Sequence, residues 1–267
     1  MKSILFLPLL FLSVSSLAAQ DFAIDQLEDS PRHHEWVVVE YDSRTVHSFV
    51  VYPETDVRTP AVIVIHENRG LTDWVRSFAD QIAEAGYIAI APDLLSGFDN
   101  NHQRTRDFAS SDAARDALYE LDPNQITTDL DAVRGYISSV PAANGMIAVA
   151  GFCWGGAQTF RYATNSDQFD AALVFYGSAP EDPATVQQIS VPVYGFYGGN
   201  DQRINAGIPA IEQMMEEFGK TFDYEIYEGA GHAYMRSGDD PVTDRRDPNK
   251  VARDASWERL SEILSKL

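Results

Sequence analysis

Short apolar runs alternate along the chain with amphipathic stretches, and the alternation predicts a sheet covered by helices. Trp36 to Tyr41 and Thr45 to Tyr52 are two strand candidates joined by Asp42-Ser43-Arg44, the pattern of a hairpin. Ala61 to Ile65 is apolar at every position, as a strand buried on both faces requires. Asn68-Arg69-Gly70 ends that run, and Trp74, Phe78, Ile82 and Ala85 then recur at helical spacing. Tyr87 to Ala91 is the next strand, stopped by Pro92-Asp93.

Residues 97–125 are polar and irregular, with a short helix over Arg104 to Leu118, and read as a cap or pocket mouth. Ile126 to Val140 predicts a helix with Ile126, Leu130, Val133 and Ile137 on one face. The rest of the chain repeats the alternation. Strands are expected at Met146 to Ala150, Phe169 to Tyr176, Val191 to Tyr197 and Phe222 to Tyr227. Helices are expected at Trp154 to Ala163, Ile208 to Phe218 and Trp257 to Leu267. The order implies an α/β fold with a mostly parallel sheet and helices on both faces. No internal repeat and no linker marks a second domain, so residues 20–267 read as one α/β domain.

Residues 1–19 have the layout of a secretory signal peptide. Lys2 supplies the positive charge, Ile4 to Val14 the apolar segment, and Ser15, Ser16, Ala18 and Ala19 the small residues before cleavage. The mature protein is therefore expected in the periplasm or outside the cell. Later in the chain no run is long and apolar enough for stable membrane insertion. The formal net charge of −20, from 20 basic and 40 acidic residues, opposes nucleic acid and anionic membrane surfaces as partners. Nothing in the pattern sets an oligomeric state.

The chemistry gathers at the ends of the predicted strands. The only cysteine, Cys153, lies in Gly151-Phe152-Cys153-Trp154-Gly155-Gly156 directly after an apolar strand. That is a nucleophile elbow with cysteine in the place of the usual serine. Gly151 and Gly155 permit the sharp strand-to-helix turn, and the helix N-terminus favours thiolate. Asp201 follows in Gly198-Gly199-Asn200-Asp201, and His232 in Gly229-Ala230-Gly231-His232. Nucleophile, acid and histidine occur in the chain order of an α/β-hydrolase, which implies covalent hydrolysis of an ester-like bond. His232 is the candidate base, and Asp201 the carboxylate that fixes its tautomer.

Glu67 follows the buried strand and is placed to take the thiol proton or tune the sulfur. The backbone N–H groups of Asn68 and Trp154 are the candidate oxyanion donors. Arg236, four residues after His232, is placed to grip a substrate carboxylate. The pair His33–His34 lacks the spacing of a metal enzyme, and no metal or other cofactor is expected.

These residues resemble the dienelactone hydrolase family over residues 35 to 265. The similarity is carried by Val64-Ile65-His66-Glu67-Asn68-Arg69-Gly70, Ala91-Pro92-Asp93-Leu94, the cysteine elbow, Gly198-Gly199-Asn200-Asp201 and Glu228-Gly229-Ala230-Gly231-His232. The resemblance implies a Cys153-His232-Asp201 triad, with Glu67 pairing with the thiol at rest and taking its proton when substrate binds. It also implies a small-molecule lactone or ester as substrate. Family enzymes that open dienelactone use two arginines for the substrate carboxylate. Arg236 matches one; the other falls where this chain has Leu95-Ser96-Gly97, with Arg69, Arg104 and Arg106 the nearest substitutes. A broad carboxylesterase is the alternative, and a non-catalytic binding protein on the same scaffold a more distant one.

Overall fold

The structure, a computed structural model, describes residues 21–267. The expected signal peptide therefore lies outside the described residues. An eight-stranded sheet has the order β1-β2-β4-β3-β5-β6-β7-β8. Its strands are β1 (His33–Tyr41), β2 (Arg44–Tyr52), β3 (Thr59–Ile65), β4 (Ile88–Pro92), β5 (Ala143–Phe152), β6 (Ala171–Phe175), β7 (Val193–Gly198) and β8 (Phe222–Tyr227). Only β2 runs against its neighbours, and all other pairings among the six later strands are parallel.

The uninterrupted apolar runs are explained by a core on each side of this sheet. Alternate residues of β3 divide between the two: Ile63 and Ile65 face one layer, Val62 and Val64 the other. The first layer is closed by α4 (Pro123–Ser139), α5 (Trp154–Ala163) and α8 (Ile208–Glu217). The second is closed by α1 (Asp21–Glu28), α2 (Asp73–Glu84) and α10 (Pro248–Leu264). Every β3 residue from Ala61 to Ile65 is inaccessible to solvent. Each of its valine and isoleucine side chains from Val62 to Ile65 contributes about 1.5–3 kcal/mol by leaving water, so this central strand is the anchor of both layers.

The helices start where proline and an aspartate cap dictate rather than where apolar periodicity begins. Asp122 accepts the Asn124 N–H and Pro123 occupies the first turn, so α4 starts three residues before Ile126. Asp247 and Pro248 do the same for α10, which begins nine residues before the expected Trp257. The expected helix over Arg104 to Leu118 is in fact two elements. A single 3₁₀ turn spans Thr105–Asp107, and α3 (Ser111–Glu120) starts after the Ser110 hydroxyl accepts the Ala113 N–H. Four helices have no counterpart in the apolar pattern: α1, α6 (Pro183–Val186), α7 (Gln202–Asn205) and α9 (Tyr234–Asp239), the last directly after His232.

The N-terminal segment is fixed to α2 by one buried carboxylate. Asp80 accepts from Ser30 Oγ at 2.6 Å, Arg32 at 2.6 and 2.9 Å, and pairs with His34 Nε2 at 2.7 Å. Burial works against this charge, yet its partners hold the Asp80 carboxyl below its ordinary value.

Candidate active site

Cys153 stands between the last residue of β5 and the first of α5 with φ 55° and ψ −113°. A non-glycine residue in that region is strained, by about 1–3 kcal/mol, and persists only where its surroundings hold it. Here the Cys153 N–H donates to Phe175 O at 3.0 Å, continuing the ladder into β6. Gly151 and Gly155 make the turn sterically possible. A Cβ on Gly151 would lie 2.2 Å from Gly155 O, and one on Gly155 would lie 2.3 Å from His66 O. Two further residues around the sulfur have positive φ, Tyr176 at the end of β6 (40°) and Ala233 after His232 (60°).

The acid and the histidine arrive on loops after β7 and β8, which glycine brings together. A Cβ on Gly198 would meet Gly231 O at 2.6 Å. The Asn200 N–H donates to Ala230 O at 2.8 Å, and its side chain to Gly229 O at 2.9 Å. From the other side, Asn249 in the first turn of α10 accepts the Gly231 N–H at 2.8 Å. The early start of α10 thus holds the histidine loop. Asp239 performs a parallel task at the end of α9, accepting from Trp74 Nε1 at 3.0 Å, Gln81 Nε2 at 2.9 Å and Arg253 at 2.7 Å.

The three side chains meet in line. His232 Nε2 is 3.0 Å from Cys153 Sγ, and His232 Nδ1 is 2.5 Å from Asp201 Oδ2. Asp201 is buried and makes no side-chain cap to α7, so its carboxylate is committed to the histidine. That pairing places the proton on Nδ1 and leaves Nε2 as acceptor toward sulfur. The arrangement can pass a proton from a thiol to an imidazole and on to a leaving oxygen.

Burial and the neighbouring Glu67 charge push the Cys153 thiol up to about 11. The thiolate bias expected from the helix N-terminus is therefore outweighed. The backbone N–H groups of Trp154 and Asn68 both donate toward the sulfur and pull the other way. Both expected oxyanion donors thus converge on the nucleophile candidate.

Glu67 is near enough to act on Cys153 by charge, but its oxygens are bonded elsewhere. Oε2 accepts from Arg236 Nε at 2.9 Å, and Oε1 is 3.5 Å from the Tyr176 hydroxyl. Arg236, whose pKa the Glu67 charge raises further, faces this carboxylate instead of lining the cavity beside Cys153. Arg69 is held on Ser111 and Asp112 at 2.7 and 2.9 Å, and Arg104 on His47 at 3.0 Å. Neither of them, nor Arg106, lines the cavity. His33 and His34 point to opposite faces of β1, so they do not form a joint ligand pair.

A cavity of about 420 Å³ opens beside Cys153 and Trp154. That is room for a small molecule. Leu118, Leu121, Pro123 and Ile126 form an apolar wall, so the irregular section before α4 does supply the pocket mouth. Arg203, on α7 two residues after Asp201, lines the same cavity. Among the described residues it makes no ion pair, and its charge favours the Cys153 thiolate. Sequence reasoning missed Arg203, and the only available signal was its spacing from Asp201. It also missed His66, which sits unmarked inside the motif that carries Glu67.

The sequence profile described as the Dienelactone hydrolase family matches residues 46–267. A protein of Saccharolobus solfataricus named "Putative carboxymethylenebutenolidase" is 28% identical, covering 85% of this chain and 96% of its own. A protein of the same name from Escherichia coli is 30% identical over 78% of each chain. Among solved structures, a "Putative Dienelactone Hydrolase" of Klebsiella pneumoniae superposes with a TM-score of 0.77 at 20% identity, over 88% of this chain and 99% of that one. A likeness at that identity speaks for the α/β-hydrolase fold, while the profile and the Escherichia coli relative speak for ancestry. The chain belongs to the dienelactone hydrolase family.

Proposed function

We propose that the protein hydrolyses a lactone or small carboxylic ester through a covalent acyl-enzyme on Cys153. The observation that carries this reading is the line from Cys153 Sγ to His232 Nε2 at 3.0 Å and from Nδ1 to Asp201 at 2.5 Å. His232 takes the thiol proton as sulfur attacks the carbonyl carbon, and the developing oxyanion is received by the Asn68 and Trp154 N–H groups. The C–O bond then breaks, and His232 returns the proton to the leaving oxygen. Water, deprotonated by His232, attacks the thioester and releases a carboxylic acid. From a lactone the product is one hydroxy acid, or its keto tautomer. Glu67 serves the resting state, where its charge keeps the thiol protonated.

The substrate side is read from the cavity. Arg203 offers an uncommitted guanidinium to a carboxylate in the place that Arg236, bound to Glu67, does not. The apolar lining of the same cavity suits a neutral ester equally, which keeps a broad carboxylesterase as the second reading. Export to the periplasm or beyond, directed by residues 1–19, completes the proposal. Cell fractionation with N-terminal sequencing tests that part; a cytoplasmic protein that retains Met1 refutes it.

The catalytic test is hydrolysis of p-nitrophenyl acetate, a neutral lactone and a carboxylate-bearing enol-lactone by wild type and Cys153→Ala. Loss of at least about 10³-fold in kcat is expected for the alanine variant, the scale on which triad nucleophiles act. Intact-mass detection of an acylated Cys153 during turnover supports the intermediate. Turnover by Cys153→Ala at the wild-type rate refutes it.

A further inference from the structure

His66 has no part in the reaction above, yet it is wholly buried beside it. Both ring nitrogens are occupied. Nε2 faces the Leu94 N–H at 3.3 Å, and Nδ1 faces Glu67 O at 2.8 Å. A donor at one nitrogen and a carbonyl at the other leave a single consistent tautomer, with the proton on Nδ1. Burial lowers the His66 pKa against the opposing Asp93 charge, so the ring stays neutral and Nε2 remains an acceptor.

The bonded carbonyl belongs to the peptide that joins Glu67 to Asn68. In a planar trans peptide the C=O and N–H point in opposite directions, so fixing the oxygen aims the hydrogen. That hydrogen is the Asn68 donor directed at Cys153 Sγ. The same imidazole lies face to face with the Trp154 indole, with ring centroids 5.5 Å apart and planes 8° from parallel. Trp154 carries the second donor. One ring therefore grips the peptide of one oxyanion donor and packs on the residue of the other. The loop after β3 and the start of α5, which bear these donors, are pressed backbone to backbone at this point, where Gly155 leaves no room for a Cβ beside His66 O.

We propose that His66 is a positioning residue, a fixed Nδ1–H imidazole that holds the Glu67–Asn68 peptide so that the Asn68 N–H meets the oxyanion. The inference rests on the reading that Cys153 attacks a carbonyl, but part of its test does not.

The test compares His66→Leu, which removes donor and acceptor together, with His66→Gln, whose amide supplies one of each. With p-nitrophenyl acetate, His66→Leu is expected to lose about 10- to 100-fold in kcat, short of or equal to deletion of an oxyanion donor, with KM little changed. His66→Gln recovers most of that loss. The pH dependence of Cys153 alkylation by iodoacetamide gives the second readout. The thiol pKa rises in His66→Leu, because a misaimed Asn68 N–H no longer favours thiolate, and returns toward wild type in His66→Gln. A general structural role would lower the folded fraction and leave the thiol pKa of the folded protein unmoved, which overturns the proposal. So does wild-type kcat in His66→Leu.

If His66→Leu does not fold, ¹⁵N spectra of histidine-labelled wild-type protein decide. A neutral Nδ1–H ring supports the role and an Nε2–H ring refutes it. Failure of wild type to turn over any ester or lactone would sink the hydrolase reading alone, since the alkylation and tautomer measurements still judge His66.

Discussion

Arg236 Nε donates to Glu67 Oε2 across 2.9 Å, so the arginine that the sequence offers to a substrate is already bound to a carboxylate of the protein. Its removal leaves a mostly buried Glu67 without its counter-charge, beside a thiol that this charge already disfavours as thiolate. For Arg236→Gln we expect kcat/KM on the neutral p-nitrophenyl acetate to fall about tenfold, the worth of one charge-assisted hydrogen bond. A residue that only clamped a substrate carboxylate would leave the neutral ester unchanged and weaken the anionic one alone.

The Cys153 thiol, pushed up to about 11 by burial first and Glu67 second, is protonated at neutral pH. A raised thiol pKa withholds the reactive form as pH falls below it. The iodoacetamide rate of the resting enzyme should therefore rise about tenfold per pH unit across the neutral and mildly alkaline range, with no plateau at the ordinary thiol value. Glu67→Gln should alkylate several-fold faster at about pH 8, because one of the two raising causes is gone. An early plateau in wild type, or an unaltered rate in Glu67→Gln, would contradict this account of the thiol.

Arg203 is expected to set the preference for charge. Arg203→Gln should raise KM for a carboxylate-bearing lactone about tenfold or more, as loss of one charge-assisted contact does, while a neutral lactone shifts less than about twofold. Steady-state kinetics on the two lactones decides. Equal shifts would place the effect in the pocket's shape or in the Cys153 electrostatics, not in anion recognition.

Gly155→Ala tests the contact between β3 and α5. The added Cβ has backbone oxygens at 2.3 and 2.5 Å, His66 O and Ile65 O, which cannot rotate away as a side chain would. We expect a loss of about 1–3 kcal/mol in urea unfolding, the usual range for overpacking, together with a fall in kcat as the two oxyanion donors separate. Full stability and full activity would show that the strand end and helix can part without consequence.

The sheet and the Cys153–His232–Asp201 line were legible because each is written locally. The apolar run of β3, the glycines around Cys153, and the glycines before Asp201 and His232 state a backbone requirement within a few residues. What escaped depends on partners far along the chain. The six residues of α9 are too few to show a period, and Asp239 anchors them through Trp74, Gln81 and Arg253. The early start of α10 was in principle readable from Asp247-Pro248, a cap followed by a first-turn proline, but polar residues dilute its first turns. His66 gains its meaning from the Leu94 N–H 28 positions away, and Arg203 from a cavity assembled by α3 and α4. The pairing of Arg236 with Glu67 joins residues 169 positions apart, and only the folded chain brings them together.

The buried, charge-shadowed sulfur has a consequence for the lifetime of the protein. A thiolate attacks peroxides and foreign disulfides far faster than a thiol does. Under the proposed mechanism, a Cys153 that keeps its proton until a carbonyl is in place is spared most of that chemistry, although it is the chain's only cysteine and no second one stands by to reverse a lesion. Ageing under air should thus cost this enzyme little activity while it is idle, and more of it while it works, because in the proposed reaction turnover is when the sulfur is stripped of its proton.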